Sequence, residues 1–330
     1  MLPIKLEWNM EKKNINIIVS GLIIALLAAG VVIAFYPNQQ EKTVKMGYLP
    51  ILAAMPLYIA KENNYFSEQG VKIETLQLQS SNQLLDALVR GDLDIVVGFS
   101  SVPVFTAETI DPGKIKIFSA SDITLESPFD SLLVKMDSSL ASLEDLEGKK
   151  IGVFPGSTAT NLLKKFFTDK GLDASKIEFV QVVPANQLPA LYQGSIDALH
   201  TYEPTTSIAL QGGNAKRLYG SIYAEQLNHN PMGVSIISSR FISENPSLAG
   251  KAVAALNMGS DFMRENDSAT REMAAKYVKV EKAVADSMVF PYMSRSDQIN
   301  EDALQSYADM LLDIGEMSSK IEVSGLLYNP

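Results

Sequence analysis

Few residues in this chain are placed to do chemistry, and the first group is Gly156, Ser157, Thr158 and Ala159. They sit in the run Ile151-Gly-Val-Phe-Pro-Gly-Ser-Thr-Ala-Thr-Asn161. A short apolar stretch there gives way to a Pro-Gly turn and then to hydroxyls. The pattern predicts a strand, a loop, and Ser/Thr caps opening a helix over residues 162–170. First-turn amides at such a place point outward and the helix macrodipole adds positive potential, so an oxyanion or other acceptor group would be held there. An ordinary βα turn whose hydroxyls only cap the helix has the same sequence.

The second candidate is Glu203, which follows an apolar strand at residues 197–202 and precedes Pro204. Its carboxylate either complements the N-terminus of the helix starting at Pro204 or faces a ligand. In the second case, burying it unpaired requires a cation or several N–H donors from the ligand. The rest of the inventory is thin. The chain has no cysteine and only two histidines, His200 and His229. Disulfides, thiolate metal sites and Cys nucleophiles are excluded, a multi-His metal site is disfavoured, and neither metal nor cofactor is expected.

Positioning such groups takes a large scaffold, and 330 residues with 46% hydrophobic content allow one bigger than an ordinary domain. The formal net charge is −10 with basic residues scattered, which argues against a nucleic-acid partner. Residues 15–36 are almost unbroken apolar sequence, long enough to cross a bilayer as a helix. Lys5, Lys12 and Lys13 precede it, so the positive-inside rule leaves residues 1–14 in the cytoplasm and everything after Tyr36 outside. An uncleaved anchor and a signal peptide cut near Ala28-Ala29-Gly30 both fit, the anchor slightly better. Residues 37–42 then form a polar linker.

From Thr43 the pattern alternates strand and helix, as in an open α/β sheet. Val44–Tyr48 alternates as a strand, and residues 49–54 form a loop. Pro56 suits a first helical turn, and Asn63-Asn64 suits its end. A strand at residues 71–78 leads to Ser80-Ser81-Asn82, which cap a helix whose inner face is Leu84, Leu85, Leu88 and Val89. Gly91 ends it, residues 94–99 are a buried strand, and Ser100-Ser101 open a turn. Further strands are expected at residues 115–120, 131–135, 177–183, 197–202 and 232–238. Ser142 and Asp145 make a capping box, a helix covers residues 187–193, and the C-terminal part is mostly helical at 246–264, 269–278 and 300–314.

Ala87-Leu88-Val-Arg-Gly91-Asp-Leu-Asp94 recurs as Ala190-Leu191-Tyr-Gln-Gly194-Ser-Ile-Asp197. Each copy reads as a helix end, a Gly C-cap and an Asp entering a buried strand. Two such blocks suggest two lobes with a cleft, where ligands bind beyond the carboxyl ends of strands. The candidates there are Leu49, Pro50, Ala54, Ser80, Ser81, Asn82, Phe99, Ser100, Ser101, the 156–159 group, Asn186, Tyr202 and Glu203. With no lysine, arginine or histidine in the strand-end loops, this is a binding surface without catalytic equipment.

Several of these stretches resemble one family. Gly47-Tyr-Leu-Pro50, Pro56-Leu-Tyr-Ile-Ala60 and Tyr65-Phe-Ser-Glu-Gln-Gly70-Val71 are similar to the opening of nitrate/sulfonate/taurine-type substrate-binding proteins of ABC importers. Leu88–Asp94, Leu143–Val153, Pro155-Gly-Ser-Thr158, Asp197-Ala198 with Glu203-Pro204, and Phe241–Pro246 continue the resemblance in order. It covers nearly everything from Thr43 onward. The resemblance implies an α/β, two-lobed periplasmic-binding-protein-like fold (type II), preceded here by the apolar segment. Residues 43–127 plus 240–330 would form lobe 1, and residues 128–239 lobe 2. It implies a monomer that closes on a small-molecule ligand without turnover and delivers it to an ABC permease and its ATPase. Two departures stand out: Val31 occupies the position of the lipidated Cys, and Asn64 stands where relatives often have Gly.

Other readings remain open. A pyrimidine-forming enzyme of thiamine biosynthesis shares the fold, but it depends on a cysteine-rich motif and a reactive His, and this chain has no Cys. A membrane-anchored sensor would need a separate signalling partner. If Glu203 faces the ligand, a solute with one acceptor end and one donor end fits better than bare nitrate or sulfate; taurine-like zwitterions and amino-pyrimidines both qualify.

Overall fold

A computed structural model describes residues 42–330. The anchor or signal peptide expected at 15–36 lies outside the described residues, as do residues 1–14 and 37–41. Among the described residues no helix is long and apolar enough to cross a membrane.

Two sheets organise the chain from Thr43 to Pro330. The first has six strands in the order β11-β4-β10-β3-β1-β2, and the second has five in the order β7-β6-β8-β5-β9. The first comprises β1 (Val44–Tyr48), β2 (Ile73–Gln77), β3 (Ile95–Ser100), β4 (Ile115–Ile123), β10 (Asn230–Ser238) and β11 (Tyr292–Ser294). The second comprises β5 (Asp130–Lys135), β6 (Lys150–Val153), β7 (Glu178–Gln181), β8 (Ala198–Tyr202) and β9 (Ala215–Tyr219). The chain leaves the first sheet through residues 124–129 and returns through residues 227–229.

β1 pairs in parallel with β2 and β3, while β10 runs antiparallel between β3 and β4. In the second sheet β6 is parallel to β7 and β8, and β5 is antiparallel between β8 and β9. Numbered within each block, both sheets share the run 2-1-3-n-4, where n is the antiparallel strand between 3 and 4, and the first sheet adds β11, antiparallel, at its β4 edge. β10 falls inside the range 128–239 that the sequence assigns to lobe 2, yet it pairs only in the first sheet. Nothing local marks this, because a buried antiparallel strand and a buried parallel one carry the same apolar run.

The sequence echo corresponds to equivalent bonds. Asp94 Oδ2 accepts from Lys45 N at 2.9 Å, joining β3 to β1, and Asp197 Oδ2 accepts from Lys150 N at 2.8 Å, joining β8 to β6. Gly91 and Gly194 precede them in the left-handed region. Ser80 caps Ser81–Arg90 as expected, accepting from Gln83 N, and Asn64 takes φ 61°. Val89 does not join the inner face: it is exposed, and Ala87 is buried with Leu84, Leu85 and Leu88. The Ser142 box works in one direction only, with Asp145 Oδ2 accepting from Ala141 N and Ser142 N over a 3-10 turn.

The two halves touch. One apolar core runs from Leu84 and Phe105 through Tyr307 and Leu311 into Leu162 and Phe166 of the second half.

Candidate ligand-binding site

The helix after β6 spans Ser157–Asp169, with Gly156 at its N-cap at φ 119°. It starts a full turn earlier than expected, because Gly156 adopts a backbone that L side chains avoid and so takes the cap position. Ala159, Leu162, Leu163, Phe166 and Phe167 then lie on one buried face. Ser157 and Thr158 are therefore first-turn residues, not caps, and their hydroxyls are free to bond outward. Both donate to Glu316 Oε2, at 3.0 and 2.8 Å, and Asn161 Nδ2 donates to Glu316 Oε1 at 2.7 Å. Glu316 follows the lobe 1 helix Glu301–Asp313, so a carboxylate from the first half is seated on the second half's helix. Gln181 brackets the turn, its Oε1 accepting from Gly156 N at 3.3 Å.

Aromatic rings stand beside this seat. Phe154, 40% exposed, meets Tyr202 edge-on with ring centroids 6.1 Å apart, and Phe129 stacks on the same tyrosine at 6.4 Å. The Tyr202 hydroxyl lies 3.1 Å from that of Tyr223, and burial pushes both phenols well above their ordinary range.

Beneath Tyr202 is a sealed polar cluster. Asp130, fully buried, meets His200 Nε2 at 2.9 Å and accepts from Ile222 N at 2.9 Å, from Tyr223 N at 3.4 Å and from the Ser221 hydroxyl. The serine donates to the carboxylate and not to the imidazole. The cluster therefore lacks the nucleophile–base contact that covalent catalysis needs.

On the first half, Ser81 Oγ accepts from Ser100 N at 3.4 Å, and Ser101, fully buried, donates its hydroxyl to Met232 O at 3.2 Å. Phe99 and Ala54 are buried in the core, Ala159 likewise, whereas Leu49 is half-buried and Pro50, Ser80 and Asn82 are exposed. Asn186 is exposed on the first turn of Pro184–Tyr192.

Glu203 has its own place. Its Oε2 accepts from Ser207 N at 3.1 Å, and its Oε1 accepts from Ser207 Oγ at 3.0 Å and from Val289 N at 3.4 Å. It thus serves the helix Thr205–Gln211 and links the halves, which removes the reason for expecting a donor-bearing ligand. Burial raises its pKa, against the bonds from Ser207 and Val289 and the charge of Arg217. Glu203 and Arg217 line a crevice of about 280 Å³ with Ser207, Gln211, Ser287 and Val289. An open groove of about 750 Å³ around Pro246 and Tyr328 holds none of the strand-end candidates. Among the described residues no group of three or more His, Asp or Glu is arranged to hold a metal.

Sequence reasoning missed Glu316, Phe129, Arg217, Asp130 and Tyr223. Glu316 is far along the chain from its partners, and no local pattern announces it. Arg217 lies on β9, whose mixed polarity hides the strand.

The two sheets and their crossovers define a two-sheet α/β fold of the periplasmic-binding-protein kind. The chain belongs to the NMT1-like family, whose model matches residues 38–279. A provisionally named aliphatic sulfonates-binding protein of Bacillus subtilis (strain 168) is 26% identical over 326 residues, covering 96% of this chain and 95% of that one. The crystal structure of the periplasmic aliphatic sulphonate binding protein SsuA from Escherichia coli superposes with a TM-score of 0.73 at 19% identity, covering 87% of this chain and 92% of SsuA. The periplasmic nitrate-binding protein NrtA from Synechocystis PCC 6803 gives 0.66 at 15% identity, covering 86% and 84%. These relatives are binding proteins, not enzymes.

Proposed function

We propose that this chain is the extracytoplasmic solute-binding component of an ABC importer, taking a small organic anion of the sulfonate class between its two lobes. The observation that carries it is the seat at Ser157, Thr158 and Asn161, three side-chain donors converging on one carboxylate. The positive end of a 13-residue helix lies behind them. The exposed Phe154 ring beside the seat suits a short apolar tail, which favours an organic anion over nitrate. Ser80, Ser81 and Ser100, at the strand ends of the first lobe, supply its polar contribution to the cleft, while Ser101 is fully buried and bonds Met232 O. The solute passes unchanged to a permease and its ATPase, and the segment at 15–36 holds the protein outside the cytoplasmic membrane.

Two measurements test this. Native mass spectrometry of protein incubated with an alkanesulfonate should return the compound unaltered; recovery of a converted product contradicts the binding-only account. Full-length protein should stay in carbonate-washed membranes, whereas an N-terminus beginning near Val31 would make the segment a signal peptide.

A further inference from the structure

The proposed anion seat already holds an anion, and that anion belongs to the chain. Glu316 bonds three side chains of the helix Ser157–Asp169, and all three bonds cross from the first half to the second. Its two oxygens take every one of these donors, so a solute anion cannot use them while Glu316 stays. A carboxylate and a sulfonate offer the same negative acceptor oxygens to a helix N-terminus. The helix Glu301–Asp313 that leads into Glu316 is held in the core by Tyr307, which is fully buried.

We infer that Glu316 is a built-in competitor for the solute: it latches the lobes together when no solute is bound and is displaced when an anionic solute takes Ser157, Thr158 and Asn161. Binding is then an exchange of one anion for another. Affinity is set partly by how readily Glu316 leaves, and a weakly held anion cannot displace it. The device also separates solutes by strength of binding, because only a ligand that outbids the internal carboxylate releases the C-terminal segment. The inference rests on the anion-binding reading above for its solute, but the latch itself can be measured without one.

The test uses the full chain in detergent, as wild type, Glu316→Gln and Glu316→Ala, with ethanesulfonate as the probe. Hydrogen exchange without probe should quicken in both variants at residues 157–162 and 314–318, with melting temperatures lowered as the inter-half bonds are lost. Calorimetric titration should show ethanesulfonate binding at least about tenfold tighter to Glu316→Gln, equivalent to roughly 1.4 kcal/mol. Unchanged exchange in those segments overturns the latch, and equal or weaker binding by Glu316→Gln overturns the competition. If neither protein binds ethanesulfonate, the sulfonate class proposed above fails, and the exchange measurement still decides the latch.

Discussion

Asp122 Oδ2 lies 3.7 Å from His229 Nδ1, joining the end of β4 to the residue just before β10. These are the points where the chain leaves and re-enters the first sheet, so the pair spans both crossover segments. Burial pushes the Asp122 carboxyl up to about 7 from 3.8. The folded protein therefore binds more protons than the unfolded chain across that interval. Stability contributed by the neutral carboxyl is fully present below about pH 4 and is lost as pH rises to about 7, by on the order of 4 kcal/mol at the limit. Urea denaturation from pH 4 to 8 should show this decline, flattened in Asp122→Asn. An identical slope in that variant contradicts the assignment.

Asp130 should be among the least replaceable residues. Asp130→Ala leaves His200 Nε2, the Ser221 hydroxyl and two helix-start amides without their common acceptor. A cost of about 3–5 kcal/mol is expected from leaving several buried donors without their common acceptor. The denaturation midpoint should fall accordingly, and a loss below about 1 kcal/mol would show that the cluster relaxes around the gap.

Two glycines separate crowding from backbone conformation. A Cβ on Gly98, at φ +63°, would lie 2.1 Å from Ala53 O, whereas one on Gly156, at φ +119°, meets nothing within 4 Å. Gly98→Ala should therefore cost more than the roughly 1–3 kcal/mol of backbone strain expected for Gly156→Ala. Comparing their melting temperatures checks this; equal losses would mean that the turn at Ala53 moves aside.

Local rules made much of the scaffold readable from the sequence. Alternation marked Val44–Tyr48, Ser80 announced its helix, and Asn64 accepted a left-handed turn. The repeated Gly-Asp step, read as two similar blocks, corresponds to equivalent bonds in which Asp94 and Asp197 accept from the neighbouring strand's lysine amide. What stayed hidden depends on residues far apart in sequence. β10 looks like any buried strand, so its return to the first sheet could not be read. The motif at residues 156–159 was visible, but its occupant Glu316 was not, since its contacts are made only by folding. Glu203 had two possible roles, and Ser207 decided for capping through bonds no pattern predicts.

The central claim is that an organic anion binds at the first turn of Ser157–Asp169. Isothermal titration of ethanesulfonate into Glu316→Gln, with and without Ser157→Ala/Thr158→Val, tests it most directly, because Glu316 bonds the same hydroxyls in the unliganded chain. Saturable one-to-one binding by Glu316→Gln, weakened at least about tenfold when the two hydroxyls are removed, is the expected result; each hydrogen bond to a charged group is worth about 1.5–3 kcal/mol. Binding of equal strength in the two proteins would place the solute elsewhere and contradict the account.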